Sequence, residues 1–208
     1  TVDGYRGGTL ATHLARSMIR LLTGFTLAAV TAVPLGVLMG FSRILRRIVD
    51  PLVELYRPLP PLAYYTLLIV WLGIGETSKI ALLYLAAVPP LIISSMAGVR
   101  SINHRRVESA YALGAGRRQV IMHVALPSCL PNIFTGLRVS IGFAYTTLVS
   151  AEIVAAAEGI GWMVLDASRF LRTDVIFLSI IVMAITGWAL DRTIRLVEAL
   201  IVPWRNHA

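Results

Sequence analysis

Long apolar runs alternate along this chain with short polar stretches that carry most of its basic residues. Residues 21–41, 80–99, 130–157 and 175–190 are dominated by apolar side chains, and a helix needs ~20 such residues to cross a bilayer. Each run is therefore read as a membrane span. A further run, residues 62–72, is short for a span even when its proline-rich entry at Pro58, Pro60 and Pro61 is added. Irregular backbone at membrane depth is tolerated only against protein or a water-filled cavity, so residues 57–61 are expected at a translocation pathway or a packed helix junction. Gly24, Pro34, Gly36 and Gly40 punctuate the first run. Small residues let helices approach closely in lipid, and Pro34 predicts a kink because it removes a helical hydrogen bond. Pro89-Pro90 predict a marked kink or unwinding in the 80–99 run for the same reason.

The polar stretches predict shorter elements. Residues 1–12, with Gly4, Gly7 and Gly8, read as a lead-in loop, and residues 13–20 as an amphipathic turn at the surface. In residues 42–57, Asp50-Pro51 has the form of a helix N-cap followed by a first-turn proline, so a short interfacial helix is expected over 51–56. Residues 73–79 form a turn. The longest polar stretch, residues 100–127, holds five arginines and one acid, Glu108. Within it, 104–113 reads as a helix broken by Gly114 and Gly116, and 117–126 as a second helix ended by Pro127. Residues 160–170 read as a short helix at the outer surface. Pro203-Trp204-Arg205 close the chain at the interface.

Composition turns these runs into a class. Of 208 residues, 57% are hydrophobic and 14% charged, against ~25% charged in soluble domains, and the mean hydropathy is +0.76. The chain reads as an all-α polytopic transmembrane bundle in one domain, residues 1–208. A net charge of +8 suits nucleic acid, but the arginines flank apolar spans, where they set topology instead. Twelve of the 19 Lys and Arg fall in residues 42–57, 100–127 and 191–208, which places these stretches in the cytoplasm. Five spans then leave the N-terminus outside and the C-terminus inside. The single cysteine, Cys129, excludes an intramolecular disulfide and reads as inert packing. There is no G-x-x-x-x-G-K-[ST] nucleotide loop, no G-x-S-x-G elbow and no clustered metal-ligand motif, since His13, His104, His123 and His207 are scattered. The chain is therefore read as neither an enzyme nor a metal binder. It shows no internal repeat, which argues against an ion-coupled secondary transporter.

Two groups of residues are candidates for function. In the 100–127 stretch, Ala110, Ala112 and Ala115 are small enough for a helix to enter a partner's groove, while Tyr111 and Leu113 supply apolar contact. Gly114 permits a left-handed helix cap, and Glu108 is expected near the helix start, where a carboxylate suits the macrodipole. Within the spans, Tyr64, Tyr65, Arg138, Tyr145, Thr146, Thr147, Ser150 and Glu152 are polar groups at a cost. They either line a path for a small zwitterion or hydrogen-bond between helices.

The spacing in the polar stretch is specific. Glu108-Ser109-Ala110, three residues, Gly114, nine residues, Val124, one residue and Leu126-Pro127 resemble the EAA loop of bacterial ABC importer permeases, with Ser109 for Ala and Val124 for Ile. Residues 54–63, ELYRPLPPLA, and 71–80, WLGIGETSKI, resemble the taurine, sulfonate and nitrate branch, taurine permeases most. The resemblance covers residues 9–204. It implies a type I importer permease fold of the methionine-permease kind, with about five spans here and room for a sixth before Thr1. It implies a multi-pass protein of the bacterial inner membrane that moves a small sulfonate, taurine foremost, with nitrate and other alkanesulfonates as alternatives. The implied partners are a second copy of the chain, two cytoplasmic ATPase subunits docked on Glu108, Ser109, Ala110, Tyr111, Ala112, Leu113, Gly114 and Ala115, a periplasmic substrate-binding protein, and membrane lipid. It implies no nucleic-acid partner and no cofactor in this chain, with ATP and Mg held by the ATPase. From their polarity within the spans, and not from the resemblance, Arg138, Tyr145, Thr146, Ser150 and Glu152 are the candidate pathway residues.

Overall fold

A computed structural model describes residues 9–204. The lead-in glycines Gly4, Gly7 and Gly8, and Arg205 and His207 at the other end, lie outside the described residues. In order, the helices are α1 Leu10–Phe41, α2 Arg43–Tyr56, α3 Pro61–Leu72, α4 Glu76–Arg100, α5 His104–Ala112, α6 Arg117–Val120, α7 Leu126–Ala155, α8 Ile160–Arg169 and α9 Thr173–Ile201. No strand occurs among the described residues. Four helical stretches are long and apolar enough to cross a membrane: α1, α4, Arg117–Ala155 and α9. At 12 residues, α3 is the short apolar helix the sequence predicts.

Several boundaries differ from expectation. Residues 13–20 are part of α1 rather than a surface turn, and His13, Ser17 and Arg20 are buried. They recur at i, i+4 and i+7, which puts them on one helical face. Pro34 leaves α1 continuous. Pro89-Pro90 do not unwind α4, although each removes a helical donor. They lie among the buried Ala86, Ala87, Leu91 and Ile92, whose packing outweighs propensity. α4 also starts four residues earlier than the predicted span, at Glu76.

α2 begins at Arg43, not at Pro51: Ser42 is its N-cap, accepting from the Leu45 N–H at 3.2 Å, and Pro51 sits inside the helix. Pro127 ends nothing. A π-helical turn at Ile121–Ala125 joins α6 to α7, so the helix runs on through Pro127. One inserted residue shifts the hydrogen-bond register, which places the proline in the first turn of the new register, where a missing N–H is tolerated.

The described chain groups into two compact units. Among the described residues, the first holds 9–28, 59–87 and 141–191. It contains one apolar cluster of Tyr65, Leu68, Leu82 and Ala151, and another of Met163, Ala167 and Val175. Gly24 lets α1 approach α4 here: a Cβ on it would meet the Leu83 Cβ at 2.8 Å and the Ile80 carbonyl at 3.0 Å. The second holds 29–58, 88–140 and 192–204, with Val99, Cys129 and Ile133 at its core. Gly36 plays the matching part in it, since a Cβ there would stand 2.6 Å from the Ile92 carbonyl. Cys129 is fully buried and its thiol donates to the Ala125 carbonyl, as a packing residue does.

Candidate functional site

The 100–127 stretch belongs to the second unit and folds as the sequence predicts up to its last turn. Asn103 caps α5, its side chain accepting from the Arg105 N–H at 3.0 Å. The helix closes after Ala112 with two reversed bonds: Gly114 N–H donates to the Tyr111 carbonyl at 2.9 Å, and Ala115 N–H to the Ala110 carbonyl at 3.0 Å. This is a Schellman cap, and it requires a left-handed residue at Gly114, whose φ is +82°. Gly116 then opens α6, its N–H held by the Gln119 side chain at 2.8 Å.

The tight closure decides what the segment presents. No residue of α5 is buried. Glu108, Ser109, Tyr111 and Ala112 are exposed, and Leu113 stands 89% exposed just before the reversal. Beside it is an open cleft of about 990 Å³, walled by Arg105, Arg106, Ser109, Leu113, His123 and Trp204 among others. Glu108 lies in the second turn of α5, not the first, which weakens its expected interaction with the macrodipole.

The span residues behave differently. In the first unit, the Tyr145 hydroxyl donates to the Met183 carbonyl at 2.9 Å and lies 2.6 Å from the Thr186 hydroxyl, tying α7 to α9. Thr146 and Ser150 donate to carbonyls of their own helix, at Phe143 and Thr146. Arg138 belongs to the second unit and is half-buried.

Glu152 is 1% exposed and sits in an ionic node that sequence reasoning missed. Its Oε1 accepts from the Ser17 hydroxyl at 2.6 Å and from Arg20 Nη1 at 2.9 Å, and its Oε2 accepts from the Gly161 N–H at 3.0 Å. Arg20 also forks onto Glu76, through Nε and through Nη2 at 2.8 Å, and donates to the Glu158 carbonyl at 2.9 Å. Lys79 reaches Glu76 at 3.1 Å, and Arg16 pairs with the Glu158 carboxylate.

The same cluster caps α8. The N–H groups of Gly159, Ile160 and Gly161 donate in turn to His13 Nδ1, Ser17 Oγ and Glu152 Oε2. These are orphan donors that every helix start must place, and an anion there also meets the positive end of the helix dipole. His13 stacks on Trp162, ring centroids 5.5 Å apart. Three cations and three carboxylates thus join α1, α4, α7 and the turn into α8. The signal was in the sequence as His13, Ser17 and Arg20 at i, i+4 and i+7, and Glu76 and Lys79 at i, i+3, but no rule distinguishes a polar stripe facing protein from one facing solvent.

A multi-pass helical bundle with an exposed, basic helix–turn–helix between two spans defines a class of membrane transport components. Residues 32–206 match the family model described as binding-protein-dependent transport system inner membrane component, and the chain belongs to that family of ABC importer permeases, in its taurine, sulfonate and nitrate branch. It is 46% identical to the taurine transport system permease protein TauC of Escherichia coli K12, over 99% of this chain and 74% of that one. To the putative aliphatic sulfonates transport permease protein SsuC of Bacillus subtilis 168 it is 38% identical, over 96% and 72%. To the nitrate import permease protein NrtB of a Synechocystis strain it is 32% identical, over 95% and 73%. Among solved structures, the inward facing MetNI methionine ABC transporter superposes with a TM-score of 0.73 at 19% identity, covering 92% of this chain and 97% of that one. The fold is that of a type I importer permease, and the chain is a multi-pass inner-membrane protein.

Proposed function

We propose that this chain is the translocating subunit of an ATP-driven importer of a small sulfonate, taurine foremost, working as a homodimer on which two separate ATPases dock. The observation that carries the docking role is α5, which buries none of its residues and presents Leu113 beside a turn that only Gly114 closes without strain. Residues 108–115 are then the contact surface, and a periplasmic binding protein delivers the substrate. ATP and Mg belong to the partner, whose closure would draw the two docking segments together. Identity to the taurine permease supports taurine, and identity to the sulfonate and nitrate permeases keeps those anions as alternatives. Tyr145, Thr146 and Ser150 act as helix-bonding groups, and Glu152 as a structural anchor of α8.

The test is reconstitution of the chain with its ATPase and binding protein in proteoliposomes. ATP-dependent taurine uptake is expected, and Gly114→Leu should abolish uptake while the protein stays folded in the membrane. Normal uptake by that variant would remove the docking role. Uptake of nitrate but not taurine would move the substrate within the branch.

A further inference from the structure

α2 divides its surface three ways. With ~100° between successive residues of an α-helix, Ile44, Ile48, Leu52 and Leu55 share one arc, Leu45, Val49, Val53 and Tyr56 the next, and the charged residues the third. The second arc is the covered one: Val53 is buried and the other three are partly so. The first arc lies beside it and is open, with Ile44, Ile48, Leu52 and Leu55 between 62% and 74% exposed. The third holds Arg43, Arg46, Arg47, Asp50, Glu54 and Arg57, four cations to two anions. Four large apolar side chains aligned along a helix do not stay in water without a partner.

The position of α2 selects that partner. Ser42 alone separates α2 from α1, a helix long and apolar enough to cross the membrane, so α2 starts where a bilayer-crossing helix stops. A helix with a strongly charged face, a separate apolar face and little net hydrophobicity lies in the headgroup boundary, and a basic excess there attracts anionic lipid. On the charged arc Arg47 lies nearest the exposed apolar arc, with Glu54 and then Arg43 behind it, and long arginine stems can lie along apolar surface with their heads among phosphates. We propose that α2 is an interfacial anchor that seats Ile44, Ile48, Leu52 and Leu55 in the bilayer and recruits anionic lipid through Arg43 and Arg47.

The test uses the full chain in nanodiscs of mixed phosphatidylcholine and phosphatidylglycerol, with a bimane fluorophore on Ile48→Cys or on Asp50→Cys. Cys129 is fully buried and stays in place, and the chain without an added cysteine gives the background. The label at 48 should be quenched by brominated lipid and not by aqueous iodide, and the label at 50 the reverse. Brominated phosphatidylglycerol should quench position 48 more than brominated phosphatidylcholine. Arg43→Gln with Arg47→Gln should lower that preference by about fivefold per arginine while leaving quenching by lipid in place. Quenching at 48 by neither agent would show that a second copy of the chain covers the face, and quenching by iodide would show an open one. Either result overturns the proposal, as does equal quenching by the two lipids.

Discussion

The ionic node around Arg20 and the proposed docking segment around Gly114 are both polar interruptions in an apolar chain, and they spend their polarity in opposite ways. In the node every described hydrogen bond is made inside the protein: Arg20 meets two carboxylates and a carbonyl, and Glu152 meets a hydroxyl, a guanidinium and a backbone N–H. In the docking segment the backbone is satisfied locally by its caps and the side chains are left outward. The node should therefore govern whether the protein folds, and the segment what it does once folded. A buried ion pair is not in itself a large source of stability, but removing one member leaves a charge enclosed without its partner.

The comparison can be broken most severely at Arg20. Arg20→Met should destabilise the protein by about 3–5 kcal/mol, read as a lower Tm in detergent and a smaller monodisperse fraction. Adding Glu152→Gln should recover part of that loss, because it discharges the stranded carboxylate, and a double-mutant cycle measures the coupling. Next is Gly159→Ala. Gly159 has φ +127°, and a Cβ there would stand in the place of the Glu152 carboxylate. Gly73 has a similar backbone, φ +81°, with nothing within 4 Å of its would-be Cβ. Both substitutions should lose about 1–3 kcal/mol to backbone strain, and Gly159→Ala should lose more than Gly73→Ala by what it costs to displace Glu152. Equal losses would mean that the node yields freely.

Effects on stability should shrink at the docking segment while effects on transport grow. Gly114→Leu should lose only about 1–2 kcal/mol, the cost of a left-handed side-chain-bearing residue, yet lose uptake. Asn103→Ala removes the α5 cap and should lose about 1 kcal/mol, read as faster amide exchange confined to α5. Leu113→Asp should change Tm least, within the ±0.5 kcal/mol usual for exposed positions.

What the sequence reveals follows the same division. The apolar runs marked the spans, and the Gly114 cap was legible because its chemistry is local: the glycine, the alanines before it and the small turn lie within a few residues. The node was not legible because it is assembled from residues up to 146 positions apart, as in the bond from Gly159 to His13. Arg20 read as a surface charge because a lone arginine near a span end normally marks topology. Glu152 drew notice as a costly charge, but its cause, the start of α8 and Arg20, is tertiary. The prolines misled in a consistent direction. Pro51 argues for a helix start and Pro127 for a helix end, yet both are carried inside a helix, and Pro89 and Pro90 leave α4 without a break.

The central claim is that the exposed face of α5, and no buried feature, holds the ATPase. Its most direct test is co-purification of the cognate ATPase subunit with the chain carrying Leu113→Asp, against the unmodified chain at matched Tm. The account predicts that the variant folds as before and loses the ATPase by about tenfold or more, as removal of an interface hot spot does. Full retention of the ATPase by a folded Leu113→Asp protein would contradict it.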